Sequence, residues 1–346
     1  MDWTRRQGHI LTGDGRLEQL YRDFDEEELP HYHLSKGRSW QIFEQWQASP
    51  ATRSTSACVA GVWSRPLFVG GWEHSDASQE TVYNLQTPSV FLDMRVPCGV
   101  EFPGARGLRD LSLEQLRLYA RRHAFAGITR VQSIDGAPVA TRHHAVDWNF
   151  VGRMRPRPNK WRIEARQQRP RCDVWKEWGF ARDEHGQHIY MERWERVKGG
   201  TGPYLALRRR PEASGGGRDA FLIVCGDHFG YVEDRAAAAR GDWGRYASLV
   251  EVVDAAVKRG DRGAAEAYLD LKACHGMRRE GGAWVIDYSL QPWLVGTTLL
   301  HSSDLELSSG GKEFKWNGAI WAVLECTFTA EQLQCLTGRG HVAARL

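Results

Sequence analysis

From residue 59 onward, hydrophobic residues recur at every second position, and this alternation constrains the fold more than any other feature. It predicts strands, because successive side chains of a strand point to opposite faces. The predicted strands are 60–72, 80–86, 90–97, 127–133, 143–150, 160–166, 173–181, 187–197, 204–210, 220–226, 283–290, 297–301, 304–308, 312–316 and 319–328. Many short strands with few helices indicate an antiparallel barrel or sandwich. A mainly β fold is therefore expected.

Helices are predicted at two places. Ser112 and Gln115 have the spacing of a capping box, which predicts a helix over 112–124. A second helical stretch is predicted over 245–271, with a break at 259–263.

Two hairpin turns are also predicted. A four-residue turn at 183–186 joins two alternating segments. The pair Asn317-Gly318 matches a two-residue type I′ turn, whose residues must adopt positive φ angles. Both turns favour antiparallel strand pairing.

The chain is expected to have an extension and two barrel-like halves. Residues 1–58 are predicted to form an N-terminal extension, and residues 59–198 the first β-barrel half. The sequence KGGTGP at 198–203 marks a boundary, because its glycines and proline interrupt the alternation. Residues 199–346 are then the second half, with a helical insertion.

Composition excludes several function classes. The net charge of +3 is too small to indicate a nucleic-acid partner. The seven cysteines contain no C-x-x-C pair, which argues against a disulfide framework and against a zinc site. No apolar stretch is long enough for a signal peptide or a membrane span, so a cytoplasmic protein is expected. The 15 Trp residues favour β structure and aromatic-lined cavities.

The strand at 90–97 carries an acid and a base on one face. Phe91, Asp93 and Arg95 share that face, while the other is wholly apolar: Val90, Leu92, Met94 and Val96. If the charged face points inward, Arg95 could bind a carboxylate or polarise a carbonyl, with Asp93 holding it in place. If it points outward, the two form a modest surface ion pair. The apolar opposite face favours the outward interpretation.

The strand at 187–197 places aromatic rings and one carboxylate on a common face. Tyr190, Glu192 and Trp194 lie there, as in a mostly apolar ligand pocket with a few polar groups. Desolvation would raise the pKa of Glu192 and make it a general base. The alternative is that Glu192 faces water, or that it pairs with Arg95 for purely structural reasons.

The remaining candidates for ligand contacts are aromatic. His144 and Trp148 share one face of the strand 143–150. With Trp194, Phe91 and Tyr83 they are predicted to line the cavity. Glu192, Asp93, Arg95 and Tyr190 are the predicted catalytic residues, and no metal site is predicted.

Several segments together carry a family resemblance. They are ETVYNLQTPSVFLDMRVP (80–97), FAGITRV (125–131), the strand with Asp147-Trp148, DEHGQHIYMERWERV (183–197), GDRGAAEAYLDLKACHG (260–276) and GAWVIDYSLQPWLVG (282–296). In this order they resemble the small barrels related to the yeast Hri1-type proteins, within the lipocalin-like (calycin) group. The resemblance covers about residues 60–300. It implies lipocalin-like barrels with a ligand cavity, and it carries over no catalytic residue.

Two main functions are compatible with these features. One is a cofactor-free enzyme of the lyase, isomerase or cyclase type, which acts on a small apolar or aromatic ligand by acid/base chemistry. The other is a non-catalytic carrier or sensor of an apolar ligand. If that ligand is haem, its axial ligand would be His144, His228, His275 or His301. A module that binds a protein partner, and a homodimer, both remain open.

Overall fold

The computed structural model describes residues 59–70, 73–76, 78–134, 136–149, 159–165, 173–179, 190–209, 218–236, 246 and 248–338. The predicted extension at 1–58 and the predicted turn at 183–186 lie outside these residues.

The first sheet closes into an antiparallel barrel. Eight of its strands pair in the order β1-β3-β4-β5-β6-β7-β8-β9, and β9 pairs back with β1. Strand β2 extends the sheet from β1. An eight-stranded barrel encloses just enough space for side chains or one small ligand. The strands are β1 (Gly61–Gly70), β2 (Glu73–Asp76), β3 (Glu80–Gln86), β4 (Val90–Pro97), β5 (His123–Ile134), β6 (Ala137–Asp147), β7 (Asn159–Ala165), β8 (Val174–Trp178) and β9 (Tyr190–Arg196).

The second sheet is an open half-barrel. Its antiparallel strands pair in the order β15-β14-β13-β12-β11-β10-β18-β17-β16. Residues 302–305 alone connect β15 to β16 at opposite ends of this order, so the sheet curls. The strands are β10 (Tyr204–Arg209), β11 (Ala220–Cys225), β12 (His228–Glu233), β13 (Lys272–Arg278), β14 (Ala283–Ser289), β15 (Thr298–His301), β16 (Glu306–Leu307), β17 (Glu313–Trp316) and β18 (Ala319–Cys326). The predicted mainly β, antiparallel fold is confirmed.

Four helices pack beside the sheets in the described ranges. They are α1 (Leu113–Tyr119), α2 (Leu249–Lys258), α3 (Arg262–Leu269) and α4 (Ala330–Leu336). The predicted capping box of α1 is present, since Ser112 and Gln115 exchange hydrogen bonds. However, α1 ends before residue 124, because His123 already begins strand β5. The predicted stretch 245–271 is two helices, and the Asp261 side chain caps the second.

The outer face of β4 packs against the second sheet. A single apolar cluster contains Val90, Leu92 and Met94 of β4 together with Phe221, Ile223 and Val232 of β11 and β12. The outward interpretation of Phe91, Asp93 and Arg95 is therefore wrong. The apolar face of β4 is buried between the sheets, and the charged face points into the barrel.

A glycine permits the close approach of the two sheets. A Cβ atom on Gly230 of β12 would lie 2.7 Å from Cδ2 of Leu92 and 3.1 Å from Cδ2 of Leu85. These distances leave no room for a larger residue without displacing the leucines. Leu85 and Leu92 are both fully buried.

The hairpin between β17 and β18 has the predicted tight turn. Asn317 and Gly318 have φ angles of 49° and 72°. Trp316 pairs with Ala319 on either side of them. This geometry matches the type I′ expectation.

Replacing Gly318 by valine should destabilise the fold by roughly 1–3 kcal/mol, because a β-branched residue is strained at positive φ. Thermal unfolding followed by circular dichroism measures the effect. Asn317→Gly is the matched control and should retain the wild-type melting temperature within a few degrees, since glycine accepts positive φ. An unchanged melting temperature for Gly318→Val would contradict the turn geometry.

Candidate functional site

Ionisable side chains from strands β1, β3, β4, β6, β8 and β9 meet inside the barrel. Each of them is at most 7% exposed. We call this group the interior charge cluster: Arg65, Glu80, Asp93, Arg95, Arg142, Glu177 and Glu192. Burying this many charges is costly unless they are paired, so their contacts define what the interior can do.

Glu192 lies between two guanidinium groups. Its Oε1 atom is 2.5 Å from Nη1 of Arg65 and 3.3 Å from Nη1 of Arg95. Arg65 also forms an ion pair with Glu80. Strands β4 and β9 are not neighbours in the sheet, so the Arg95–Glu192 contact crosses the barrel interior.

Asp93 holds the remaining arginines in place. Its Oδ1 atom is 2.7 Å from Nε of Arg95, and its Oδ2 atom is 3.3 Å from Nη1 of Arg142. The acid and base two residues apart on β4 are thus a buried pair inside the barrel. Asp93 is fully buried, and two guanidinium groups compensate its charge.

Glu177 is the carboxyl group that the cluster leaves without a cation. The Tyr190 hydroxyl donates a hydrogen bond to its Oε1 atom, and Nε1 of Trp194 donates to Oε2 at 3.2 Å. Glu192 lies directly across from it on β9. Burial, and then the negative charge of Glu192, raise the pKa of Glu177 well above its ordinary value.

Glu192 has the opposite protonation behaviour. Burial opposes its ionisation, but Arg65 and Arg95 outweigh burial and lower its pKa below the ordinary value. The sequence-based expectation of a raised pKa at Glu192 is therefore wrong. The two facing carboxyl groups therefore differ in proton affinity, and a proton shared by the pair is held by Glu177.

Aromatic rings form the walls around the cluster. The Arg142 guanidinium lies 4.4 Å from the ring centre of Phe91 and 5.0 Å from that of Trp161. Trp175 and Trp194 stack with their ring centres 5.6 Å apart. These cation–π and stacking contacts fix the orientation of the guanidinium and of the indole rings.

Several polar atoms of the interior have no hydrogen-bond partner among the described residues. Both side-chain atoms of Asn84, Oδ1 and Nδ2, are unpaired, although Asn84 is fully buried. Nε1 of Trp161, Nε1 of Trp175 and Nε of Arg142 are likewise unpaired. Asn84 pairs in register with Trp63 on one side and Asp93 on the other, so it shares their inward face.

The predicted catalytic residues Glu192, Asp93, Arg95 and Tyr190 come together inside the barrel. Phe91 and Trp194 face the same interior. The structure shows where these residues lie, and their catalytic roles stay predictions.

Two predicted cavity residues lie outside the barrel. Tyr83 is on the outer face of β3, where its ring centre is 4.5 Å from that of His275 in the second sheet. Trp148 packs against α1, and its Nε1 atom donates to the Ala120 carbonyl at 3.0 Å. A β-bulge between β5 and β6 shifts the register near Ala145, so Trp148 does not share the face of His144.

His144 is held inside the first barrel. Its ring stacks on Phe125 at 4.6 Å, and its Nδ1 atom is 2.5 Å from Oδ2 of Asp147. The second sheet holds the pair His228 and His275, whose ring nitrogens are 3.1 Å apart. In the described ranges, no three His, Cys, Asp or Glu side chains come together as metal ligands would.

Four residues of the barrel interior were not predicted from the sequence: Glu177, Arg65, Arg142 and Asn84. Glu177 had a detectable pattern, because VWKEW repeats on β8 the Trp-x-Glu spacing that MERW carries in reverse on β9. No sequence pattern indicated Arg65, since a bulge between Ser64 and Leu67 breaks the alternation of β1.

The chain was compared with family models, curated proteins and solved structures. No family model matches the chain, and no curated protein matches it either. Among solved structures, it is similar to the uncharacterized protein YLR301w from Saccharomyces cerevisiae, with 13% identity and a TM-score of 0.42. The match covers 78% of this chain and 99% of that one. None of the helices in the described part of the chain is long and apolar enough to cross a membrane.

Proposed function

We propose that the closed barrel binds a small molecule in its interior and transfers a proton to it, with Glu177 as the acid. The carboxyl pair carries this proposal. Glu177 and Glu192 face each other, and their surroundings shift their pKa values in opposite directions. Such divergence of two titratable neighbours is typical of acid/base sites.

Glu177 is arranged to lose its proton and to regain one. The Tyr190 hydroxyl and the Trp194 indole N–H already donate hydrogen bonds to its two oxygens. The same bonds would stabilise the carboxylate that forms when the proton moves to the ligand. That carboxylate can then remove a proton from a second atom of the ligand, which restores the starting state. The net reaction is an isomerisation, and it requires no cofactor.

Glu192 has a different role in this proposal. A carboxylate whose pKa is lowered by Arg65 and Arg95 is a weak base. Its charge instead keeps the proton on Glu177 and holds both guanidinium groups in position. Arg95 or Arg142 could then polarise a carbonyl group of the ligand.

A carrier that performs no chemistry is the second candidate. The aromatic walls formed by Phe91, Trp161, Trp175 and Trp194 favour it, because flat apolar surfaces bind rings without reacting with them. The two candidates differ in whether the proton of Glu177 moves.

Glu177→Gln should abolish proton transfer while preserving the shape of the interior. Small cyclic ketones and lactams in heavy water, followed by NMR, report deuterium uptake at exchangeable carbon positions. We expect wild-type protein to accelerate uptake for at least one bound compound, and the variant to be about 10²–10⁴-fold slower. Glu195→Gln, on the outer face of β9, is the matched control and should act like wild type. If every compound that binds takes up deuterium no faster than in buffer alone, the proton-transfer proposal fails and the carrier function is favoured.

A further inference from the structure

We propose that the interior recognises a neutral planar ligand with a lactam or imide edge, and that Asn84 is the residue that reads this edge. The inference rests on the proposed function, since it names the class of molecule that the same interior binds. Its ligand is a ring in which N–H and C=O groups are adjacent.

The unpaired amide of Asn84 is the first observation. Asn84 is fully buried on β3, and neither Oδ1 nor Nδ2 has a hydrogen-bond partner among the described residues. Buried polar groups are nearly always paired, because an unpaired buried amide is costly. An amide that presents one donor and one acceptor is complementary to a ring –CO–NH– edge, which offers the same two groups in reverse.

The other unpaired atoms of the interior restrict the chemical class of the ligand further. Nε1 of Trp161, Nε1 of Trp175 and Nε of Arg142 are all donors without an acceptor in the described part of the chain. A ligand that satisfies them must be rich in acceptor atoms, such as carbonyl oxygens. Two unpaired acceptors also face this interior, Oδ1 of Asn84 and Oε2 of Glu192, and Asn84 alone of these two residues carries a donor beside its acceptor.

Charge balance requires that the ligand be neutral. The guanidinium groups of the interior charge cluster are Arg65, Arg95 and Arg142. These guanidinium groups form ion pairs with Asp93, Glu192 and Glu80. Three cations thus face three carboxyl partners, and Glu177, whose pKa is raised well above its ordinary value, stands outside these ion pairs. A charged ligand would add an unpaired buried charge, which is strongly unfavourable.

A lactam also suits the proposed chemistry. Glu177 can deliver its proton to the carbonyl oxygen while Asn84 holds the N–H. The resulting carboxylate can then remove a proton from the ring carbon next to that carbonyl, which converts the lactam to its enol form. One proton enters the ligand and one leaves, so atoms and charge balance. The aromatic walls give the flat ring an apolar surface to stack against.

The test compares probes that differ in one hydrogen-bonding group. 2-Pyridone and uracil carry the lactam edge. N-methyl-2-pyridone lacks the N–H of that edge, cyclohexanone has a carbonyl group but no lactam edge, and benzoate carries a charge. Ligand-observed NMR and thermal melting measure binding to the full chain. We expect 2-pyridone and uracil to raise the melting temperature, and N-methyl-2-pyridone to bind at least about tenfold more weakly. Equal binding of 2-pyridone and its N-methyl derivative, or a preference for benzoate, would overturn the inference.

Two substitutions test Asn84 itself. Asn84→Leu removes both unpaired atoms and should abolish the preference for 2-pyridone, while raising the melting temperature of the ligand-free protein. Asn84→Asp keeps the size but loses the donor, and should weaken 2-pyridone binding about tenfold or more. Gln291→Leu is the control: it removes another buried amide with an unpaired oxygen, in the segment after β14 and outside the barrel. It should retain wild-type binding.

Failure of this inference can be told from failure of the proposed function. If cyclohexanone binds and its deuterium uptake depends on Glu177 while lactams do not bind, the lactam inference fails and proton transfer stands. If 2-pyridone binding depends on Asn84 but no uptake depends on Glu177, the inference stands and proton transfer fails. If no probe raises the melting temperature of the wild-type protein, both fail.

Discussion

Replacing Glu192 by glutamine should lower the free energy of unfolding by roughly 3–5 kcal/mol. Glu192 is fully buried and neutralises both Arg65 and Arg95. Glutamine has nearly the same shape but no charge, so it leaves two guanidinium groups buried without their shared carboxylate. Urea denaturation followed by Trp fluorescence measures the loss.

Replacing Glu177 by glutamine should have the opposite sign at neutral pH. The pKa of Glu177 is raised in the folded protein, so its contribution to stability is fully present below its unfolded pKa and is lost as pH rises through the folded value. Glutamine does not titrate, so the variant does not lose this stability as pH rises. The variant should match wild type near pH 4 and be at least as stable at pH 7.

The comparison has a built-in control. Glu195 is partly exposed and pairs with Arg193 on the outside of the same strand, so Glu195→Gln should change stability by less than about 1 kcal/mol. If Glu177→Gln and Glu192→Gln lower stability equally at pH 7, Glu177 is ionised and the assignment of the shared proton is wrong.

The orientation of β4 shows why the sequence could define faces but could not orient them. Alternation correctly separated Phe91, Asp93 and Arg95 from the apolar residues between them. It then predicted that the charged face points to solvent, because the apolar face of a strand ordinarily packs in the core. Here β4 is buried on both faces, since a second sheet covers the outside and partner charges fill the inside. Those partners come from distant strands that no local pattern connects.

Irregular strands explain the misplaced residues. A bulge shifts every following side chain to the opposite face. One near Ala145 moves Trp148 out of the barrel, and another after Ser64 hid the inward position of Arg65. Strands β12 and β13 were not predicted at all. All six residues of β12 are buried, which removes the alternation on which prediction depends.

Features governed by neighbouring residues were predicted well. The capping box at Ser112 and Gln115 and the turn at Asn317-Gly318 depend only on residues a few positions apart. The Glu177–Glu192 pair depends on the register between β8 and β9 and on charges from β1 and β4. A site of this kind becomes visible only when the barrel is assembled.

A buried histidine pair between the two sheets should make the protein sensitive to acid. His275 is almost fully buried, and its Nε2 atom lies 3.1 Å from Nδ1 of His228. The other ring nitrogen of His228, Nε2, donates its N–H to the Lys198 carbonyl at 2.9 Å. Burial, and then His228, lower the pKa of His275 to about 3.

This depressed pKa sets the sign and the range of the effect. Below about pH 6.5 the unfolded chain binds a proton at His275, while the folded protein does not until about pH 3. The contribution to stability is thus complete above pH 6.5 and is lost as pH falls towards 3. Each pH unit in this range should remove about 1.4 kcal/mol.

His275→Gln should remove this dependence, because glutamine does not titrate and its amide can still donate to His228. Urea denaturation at pH 6, 5 and 4 should show the free energy of unfolding of wild type falling by roughly 2–3 kcal/mol relative to the variant. Other titrating groups, including Glu177, are present in both proteins and cancel in the difference. His301→Gln, at an exposed position, should run parallel to wild type. Parallel curves for His275→Gln as well would mean that His275 binds its proton equally well in the folded protein, and that water reaches the space between the sheets.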